Sequence, residues 1–174
     1  MIAMTPTQIA QRLAERFPNA ITASFPTDKH ARIHTSAEHW RVMAEFLRHD
    51  PEMHFDWLGC LSAVDYLADN KLCVVYDLRN TATNQWFAVK VYMDRDNPHI
   101  CSVTDLWPGA NWHEREAYDL MGIIFDGHPD LRRILLPEDW VGHPLRKDYV
   151  FPREYHGIPG STELDWQQKP DYPG

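Results

Sequence analysis

The chain has 174 residues, 17 basic against 25 acidic, for a net charge of −8 and a hydrophobic content of 44%. That length holds one domain with a real core and a modest tail. The acidic balance argues against nucleic-acid binding, which needs clustered Lys and Arg to neutralise phosphates. No apolar run is long enough to span a bilayer. The opening Met1-Ile2-Ala3-Met4-Thr5-Pro6 lacks the basic and apolar blocks of a signal peptide, so a cytosolic setting is expected. Cys60, Cys73 and Cys101 are odd in number, widely spaced and outside any CxxC pattern. They read as reduced, mostly buried thiols rather than a disulfide framework or a zinc or iron–sulfur site.

Thr5-Pro6-Thr7-Gln8 is a helix start, with Thr5 as cap, Pro6 in the first turn and Gln8 closing a capping box. Ile9, Leu13 and Phe17 then recur at four-residue spacing, one apolar stripe ending near Pro18. Residues 20–25 and 31–34 read as short strands joined by a turn at Pro26-Thr27-Asp28. A second capping box is expected at Thr35-Ser36-Ala37-Glu38. The helix it opens buries Trp40, Met43, Ala44 and Leu47 and stops at Asp50-Pro51, because the residue before proline disfavours helix.

Three longer strands are expected next. In 53–66 the alternation Met53, Phe55, Trp57 marks a strand, and Gly59 marks a bulge or a close backbone approach. After a turn at Asp69-Asn70, Leu72, Val74, Tyr76 and Leu78 alternate with Cys73, Val75 and Asp77, so a strand apolar on both faces lies inside the sheet. The strand 86–93 puts Phe87, Val89, Val91 and Met93 on one face. Short connections predict antiparallel pairing throughout. The expected fold is a two-layer α+β domain of order α-β-β-α-β-β-β over 1–125, closed by a third helix. Asn111-Trp112-His113-Glu114 is expected to cap that helix, and Gly122 is expected to end it in the left-handed conformation.

Beyond Asp126 the chain is broken by prolines. Pro129, Pro137, Pro144, Pro152 and Pro159 recur every seven or eight residues, too often for a regular helix or an inner strand. Residues 126–174 therefore read as an extended arm without a core of its own, carrying Trp140, Tyr149, Phe151, Tyr155 and Trp166. From Trp112 to Tyr149, thirteen Asp, Glu, Lys and Arg residues of alternating sign are threaded between apolar ones such as Tyr118, Met121, Phe125 and Leu131. Such a stretch can bury its apolar groups only if its charges find partners. It reads as a surface made to be covered.

A catalytic reading of the same stretch is weaker. Glu114 and Glu116 would point about 200° apart on a helix and form no carboxylate pair. Arg115 and Asp119 are placed to bridge at i, i+4, and His113-Glu114 lacks the second histidine of a zinc-binding helix. His128, His143 and His156 sit beside Gly or Pro, where no rigid ligand geometry is implied. Arg132-Arg133 and Arg146-Lys147 have Asp130, Glu138, Asp139 and Asp148 close by, which favours pairing within the protein or across an interface. Cys60 reads as a core thiol and Asp65 as a turn or edge residue. An alternative, a stand-alone metal-dependent hydrolase or lyase, would use His113, Glu114, Glu116 and His128.

Glu114-Arg115-Glu116-Ala117-Tyr118-Asp119-Leu120-Met121-Gly122-Ile123, then Phe125, then His128-Pro129-Asp130-Leu131-Arg132-Arg133-Ile134-Leu135, resembles the signature of the C (30 kDa-type) subunit of proton-pumping NADH:quinone oxidoreductase, respiratory complex I. Supporting matches are Leu61-Ser62-Ala63-Val64-Asp65-Tyr66, Ser102-Val103-Thr104-Asp105-Leu106-Trp107 and Gly142-His143-Pro144-Leu145-Arg146-Lys147-Asp148-Tyr149, together covering residues 35–150. The resemblance implies a scaffold with no cofactor of its own, the FMN, Fe-S clusters and quinone lying in partner subunits. It implies an obligate hetero-oligomer that packs chiefly on the quinone-site D subunit, with the B and I subunits nearby, peripheral on the cytoplasmic side of the bacterial inner membrane. The partner interface is then expected at Glu114, Arg115, Glu116, Tyr118, Asp119, Gly122, at His128, Pro129, Asp130, Leu131, Arg132, Arg133, and at Pro144, Leu145, Arg146, Lys147, Asp148 and Tyr149. The C and D polypeptides are fused in some relatives, so this chain would meet its D partner as a separate polypeptide. Similar subunits occur in membrane-bound hydrogenases and plastid-type dehydrogenases, so the electron donor is left open.

Overall fold

The computed structural model describes residues 4–159. In chain order the elements are α1 (Pro6–Arg16), β1 (Ile21–Phe25), β2 (Arg32–Ser36), α2 (Ala37–His49), β3 (Trp57–Tyr66), β4 (Lys71–Asn80), β5 (Gln85–Asp94), β6 (His99–Cys101), α3 (Ala110–Met121), β7 (Ile124–Asp126), β8 (Glu154–Tyr155) and β9 (Ile158–Pro159). The first seven follow the expected α-β-β-α-β-β-β order. They build a five-stranded sheet of order β1-β2-β5-β4-β3.

Pairing is not antiparallel throughout. β1–β2, β3–β4 and β4–β5 are antiparallel, but β2 runs parallel to β5, and β6 runs parallel to β7. The short-connection argument holds for strands joined by tight turns. It fails where a helix intervenes, because α2 carries the chain across the sheet from β2 and α3 separates β6 from β7.

One face of the sheet is packed by the helices. Ile9 and Leu13 of α1 and Trp40, Met43 and Leu47 of α2 are wholly buried against Ile33, Val74, Tyr76, Leu78, Val89 and Val91. Each such side chain contributes roughly 1.5–3 kcal/mol by leaving water. The Trp40 and Tyr76 rings lie 4.1 Å apart at the centre of this layer. Trp107 extends it, donating its indole N–H to the Phe55 carbonyl at 2.9 Å.

The two expected capping boxes differ. At α1 the Gln8 N–H donates to Thr5 Oγ1 and the Thr5 N–H donates to Gln8 Oε1, so the box is closed. At α2 it does not form. Thr35 is buried in β2, and its hydroxyl donates to the Ala20 carbonyl at 2.7 Å. Ser36 takes the cap position, but its hydroxyl meets His39 Nδ1 at 2.9 Å rather than a helix N–H.

β3 also departs from expectation. Met53 and Phe55 are buried ahead of the strand, and Trp57, instead of continuing their alternation, is 57% exposed. The strand begins only at Trp57, with Leu58 facing the core, and Gly59 then shifts the alternation once more. Pairing with β4 slips between Leu58 and Cys60, a bulge, and the Trp86 ring lies 2.6 Å from where a Cβ on Gly59 would sit. Past the bulge Cys60 faces outward and is exposed; Cys101 is half-buried and only Cys73 of the three thiols is buried. At α3 the cap position falls on Gly109, leaving Asn111 inside the first turn, while Gly122 ends the helix at φ 73° as expected. The short strands β6 to β9 carry no periodicity of their own in the sequence, and Trp166 lies outside the described residues.

A difference between the caps is expected in stability. Thr5→Ala should cost about 1 kcal/mol, the usual value of a satisfied N-cap, and Ser36→Ala should cost clearly less, because no α2 amide loses a partner. Urea unfolding of the two variants tests this, and equal losses would contradict it.

Candidate partner-docking site

The signature residues gather around α3. On one side Glu114 is fully buried. It accepts from the Ser102 hydroxyl at 2.6 Å and the Val103 N–H at 2.8 Å, tying the loop after β6 to the helix. Burial pushes its carboxyl up to about 7, the two bonds only partly offsetting the lost hydration. Beside it His128 is enclosed, its Nδ1 accepting from the Asp130 N–H at 3.0 Å and its Nε2 meeting the Asn111 carbonyl at 3.3 Å. Glu114 and His128 stand 4.0 Å apart, too far for a hydrogen bond.

Around the other side Asp119 is the anchor of the arm. Its side chain is wholly buried. One carboxylate oxygen accepts from Arg133 at 2.8 Å, and the other accepts three consecutive backbone N–H groups, Ile134 at 3.0, Leu135 at 2.7 and Leu136 at 3.0 Å. Successive amides of this kind form a concave anion site. Burial alone would raise the Asp119 carboxyl, but the three amides and Arg133 overcome it and hold it below the usual range.

The arm also closes the C-terminal end of α3, where the last carbonyls of a helix lack partners. Gly122 N–H takes the Tyr118 carbonyl, His143 Nδ1 the Asp119 carbonyl at 2.9 Å, Leu145 N–H that of Leu120 at 3.1 Å, and Arg146 that of Met121 at 2.8 Å. A cationic Arg146 suits the negative end of the helix dipole. The His143 ring lies so close over Gly122 that a Cβ there would sit 2.5 Å from it.

A third tie has no counterpart among the expectations from sequence. Arg95, buried just after β5, donates to both oxygens of Asp65 at 2.9 and 3.1 Å and also to Asp148. Asp65 further accepts the Lys147 N–H at 2.8 Å. Asp65 is on an edge strand as expected, but it is buried, and Arg95 and the Lys147 amide outweigh its burial to keep the carboxyl low. A sequence signal exists in the charged Asp94-Arg95-Asp96 turn, but an acid and a base 30 residues apart carry no spacing rule.

The structure thus sorts the predicted residues. Glu114, Arg115, Asp119 and Gly122 are buried, while His128, Leu131, Arg133, Pro144, Arg146 and Tyr149 are half-buried against the domain. Glu116, Pro129, Asp130, Arg132, Leu145, Lys147 and Asp148 are exposed, and Tyr118 is partly so. The expected Arg115–Asp119 bridge is absent. Arg115 stacks on Trp112 and reaches towards Asp130 and the Arg132 carbonyl, because Asp119 is saturated by the arm. The residues of the hydrolase reading do not converge, since Glu116 is exposed and Glu114 buried on another face of α3. Among the described residues no group of three or more His, Cys, Asp or Glu is placed to hold a metal ion.

Two variants test this geometry. Asp119→Asn leaves Arg133 and part of the amide cluster without an anion, so it should cost about 3 kcal/mol in urea unfolding, as breaking a buried pair does. A loss below about 1 kcal/mol would contradict the anchor. For Glu114 the raised folded value means that the folded state binds more protons than the unfolded one between about pH 4.5 and 7. Stability from this group is then present below that window and falls as pH rises through it. Glu114→Gln keeps the shape and removes the titration, so its stability relative to the parent should improve by about 2 kcal/mol between about pH 5 and pH 8. A difference independent of pH would contradict the assignment.

Comparison with known proteins identifies the family. Residues 33–155 match the family model described as respiratory-chain NADH dehydrogenase, 30 Kd subunit. The chain is 45% identical over 170 residues to the C subunit of NADH-quinone oxidoreductase from Roseiflexus sp. (strain RS-1), covering 97% of this chain and 98% of that one. It is 52% identical over 120 residues to the protein of the same name from Chloroherpeton thalassium, covering 68% of this chain and only half of that protein's length. Among solved structures it resembles the trypsin-resistant fragment (1-134) of Nqo5, with a TM-score of 0.59 at 30% identity over 72% of this chain and 99% of the fragment. It shares its fold with a chain of an archaeal membrane-bound sulfane sulfur reductase, with a TM-score of 0.68 at 23% identity over 84% of this chain and 86% of that one. The chain belongs to the family of respiratory-chain NADH dehydrogenase 30 Kd subunits.

Proposed function

We propose that this component of an NADH-quinone oxidoreductase is a non-catalytic scaffold of the complex's peripheral arm, docking through α3 and the segment after it. One observation carries the reading. Of the eleven large apolar side chains left exposed among the described residues, seven (Trp112, Leu135, Val141, Leu145, Val150, Phe151 and Ile158) belong to α3 or the arm, while Val42, Trp57, Leu67 and Trp86 are scattered over α2, the sheet and the turn after β3. Val141 and Val150 are more than four-fifths exposed. A monomer gains nothing from such a concentration, whereas a surface waiting for a partner does. The ties to Asp119, Asp65 and the end of α3 hold the arm's backbone in place, so its apolar side chains are presented ready-made, which lowers the ordering cost of association.

The partners in this reading are chiefly the quinone-site D subunit, with the B and I subunits nearby. FMN, the Fe-S clusters and quinone belong to those and other subunits, and electron transfer from NADH to quinone is the activity of the assembly. The chain sits peripherally, on the cytoplasmic side of the bacterial inner membrane. Among the described residues no helix is long and apolar enough to cross a membrane.

Leu135→Asp combined with Val150→Asp places charge on exposed side chains that make no contact holding the arm to the domain. The isolated chain should unfold within about 0.5 kcal/mol of the parent, as surface changes usually do, while the amount of assembled complex recovered in mild detergent falls severalfold. Recovery equal to the parent's would overturn the proposed docking surface. Full NADH:quinone activity in a preparation lacking this chain would overturn the scaffold role.

A further inference from the structure

The sheet face turned away from the helix layer carries a hollow of about 630 Å³, bordered by Pro6 at the start of α1 and sharing Cys60 with the groove beside α3 and Leu145. Strand register creates it. Cys60, Asp77 and Ala88 are direct cross-strand neighbours on β3, β4 and β5. Apart from Asp77, this row and the adjoining Gly59 are small residues, so the face is low here. The next row towards the β4–β5 turn is tall, with Trp57, Arg79 and Trp86 side by side. Trp86 is half exposed and leans over Gly59, forming one wall. The exposed loop that includes Lys29 and His30 forms the rim opposite, and Asp28 in that loop is already paired with Arg32 at 2.9 Å.

Asp77 supplies the chemistry. It is half-buried, and its surroundings provide no hydrogen bond among the described residues; burial pushes its carboxyl up and only His30 draws it back. The nearest base on its own strand does not neutralise it. Arg79 lies over the Trp86 ring at 5.3 Å and donates to Asn84 at 2.6 Å. A carboxylate drawn partly out of water without a donor is unfavourable, yet here it stands in a hollow large enough to admit one.

We propose that this hollow receives an arginine side chain from another polypeptide of the assembly, its guanidinium on the Asp77 carboxylate and against the Trp86 indole. The inference rests on the reading of the chain as a scaffold subunit and adds a second docking point, on the sheet, to the one at α3 and the arm. Arginine fits better than lysine because its planar fork can meet both carboxylate oxygens while its face stacks on an aromatic ring. The volume lies within the range of about 300–1,000 Å³ typical of pockets that enclose a small group.

Cys60 on the floor is a built-in reporter, since its thiol is exposed in the isolated chain. Maleimide should label it readily in the isolated full chain and at least about tenfold more slowly in the assembled complex. Asp77→Asn should bring labelling in the complex to within about twofold of the same variant in isolation, the reference needed because the Asp77 charge itself pushes the Cys60 thiol up; a desolvated charge pair accounts for much of such an affinity. In parallel, the isolated full chain is titrated with Nα-acetylarginine amide and with its neutral isostere Nα-acetylcitrulline amide. The Trp86 indole N–H resonance should shift saturably with the first, at least about tenfold more weakly with the second, and not at all in Asp77→Asn.

Equal labelling of Cys60 in the free and assembled chain would overturn the proposal. So would protection that Asp77→Asn leaves intact, which would mean a cover without a cation, or equal response to the two amides. Binding of the arginine amide alongside an unprotected Cys60 in the complex would make the hollow a site for free small cations and equally overturn docking. Were the chain to enter no complex, the scaffold reading would fail by itself, and the amide titration would still judge the hollow.

Discussion

The buried carboxylate of Asp119 is the constraint on which the rest of the molecule's surface depends. It faces the segment after β7, and its lost hydration is replaced by one guanidinium and three consecutive backbone amides. Those amides can converge on one oxygen only if residues 133–136 adopt a single tight path. That path brings the following turn, with Gly142 at φ 83°, under the end of α3, where His143, Leu145 and Arg146 reach its open carbonyls. A proline-broken segment with little apolar burial is thereby fixed by polar bonds to a helix, and its own apolar side chains are left facing outward.

The two buried acids of α3 show how the same residue type is put to opposite uses by its donors. Asp119 has four donors, one of them charged, and is held ionised. Glu114 has two neutral donors and is more completely desolvated, so its proton is held to a higher pH. One end of the helix is thus an ionic anchor for the arm, and the other is closer to a neutral hydrogen-bonded clamp on the Ser102 loop. Arg95 repeats the ionic solution for the later part of the arm, joining Asp65 of β3 to Asp148.

Much of this is legible in the residue order. Periodicity locates α1, α2, β4 and β5 because apolar spacing reports which face leaves water, and Gly122 announces the end of α3 through its freedom to adopt positive φ. The signature around α3 identifies the family, which the match over residues 33–155 bears out. What escapes are features decided by distant contacts. Thr35 is drawn from its expected cap by a carbonyl 15 residues away, Cys60 is turned outward by the bulge at Gly59, and β2 pairs parallel with β5 because α2 intervenes. At the site, the Arg115–Asp119 bridge is the reasonable local choice and loses to bonds from residues 133–136, which no helical spacing could reveal.

Much of the family's signature thus bonds within the chain, as the means by which an irregular segment is held in shape, and the docking surface proposed above consists of the apolar residues between those anchors. This division has a direct test in amide hydrogen exchange on the isolated full chain. If the anchors act without a partner, the amides of Ile134, Leu135, Leu136 and Leu145 should be protected to a degree comparable with the middle of α3, while that of Val150, which has no such tie, exchanges quickly. Exchange of all five at the rate of an unfolded chain would contradict the account.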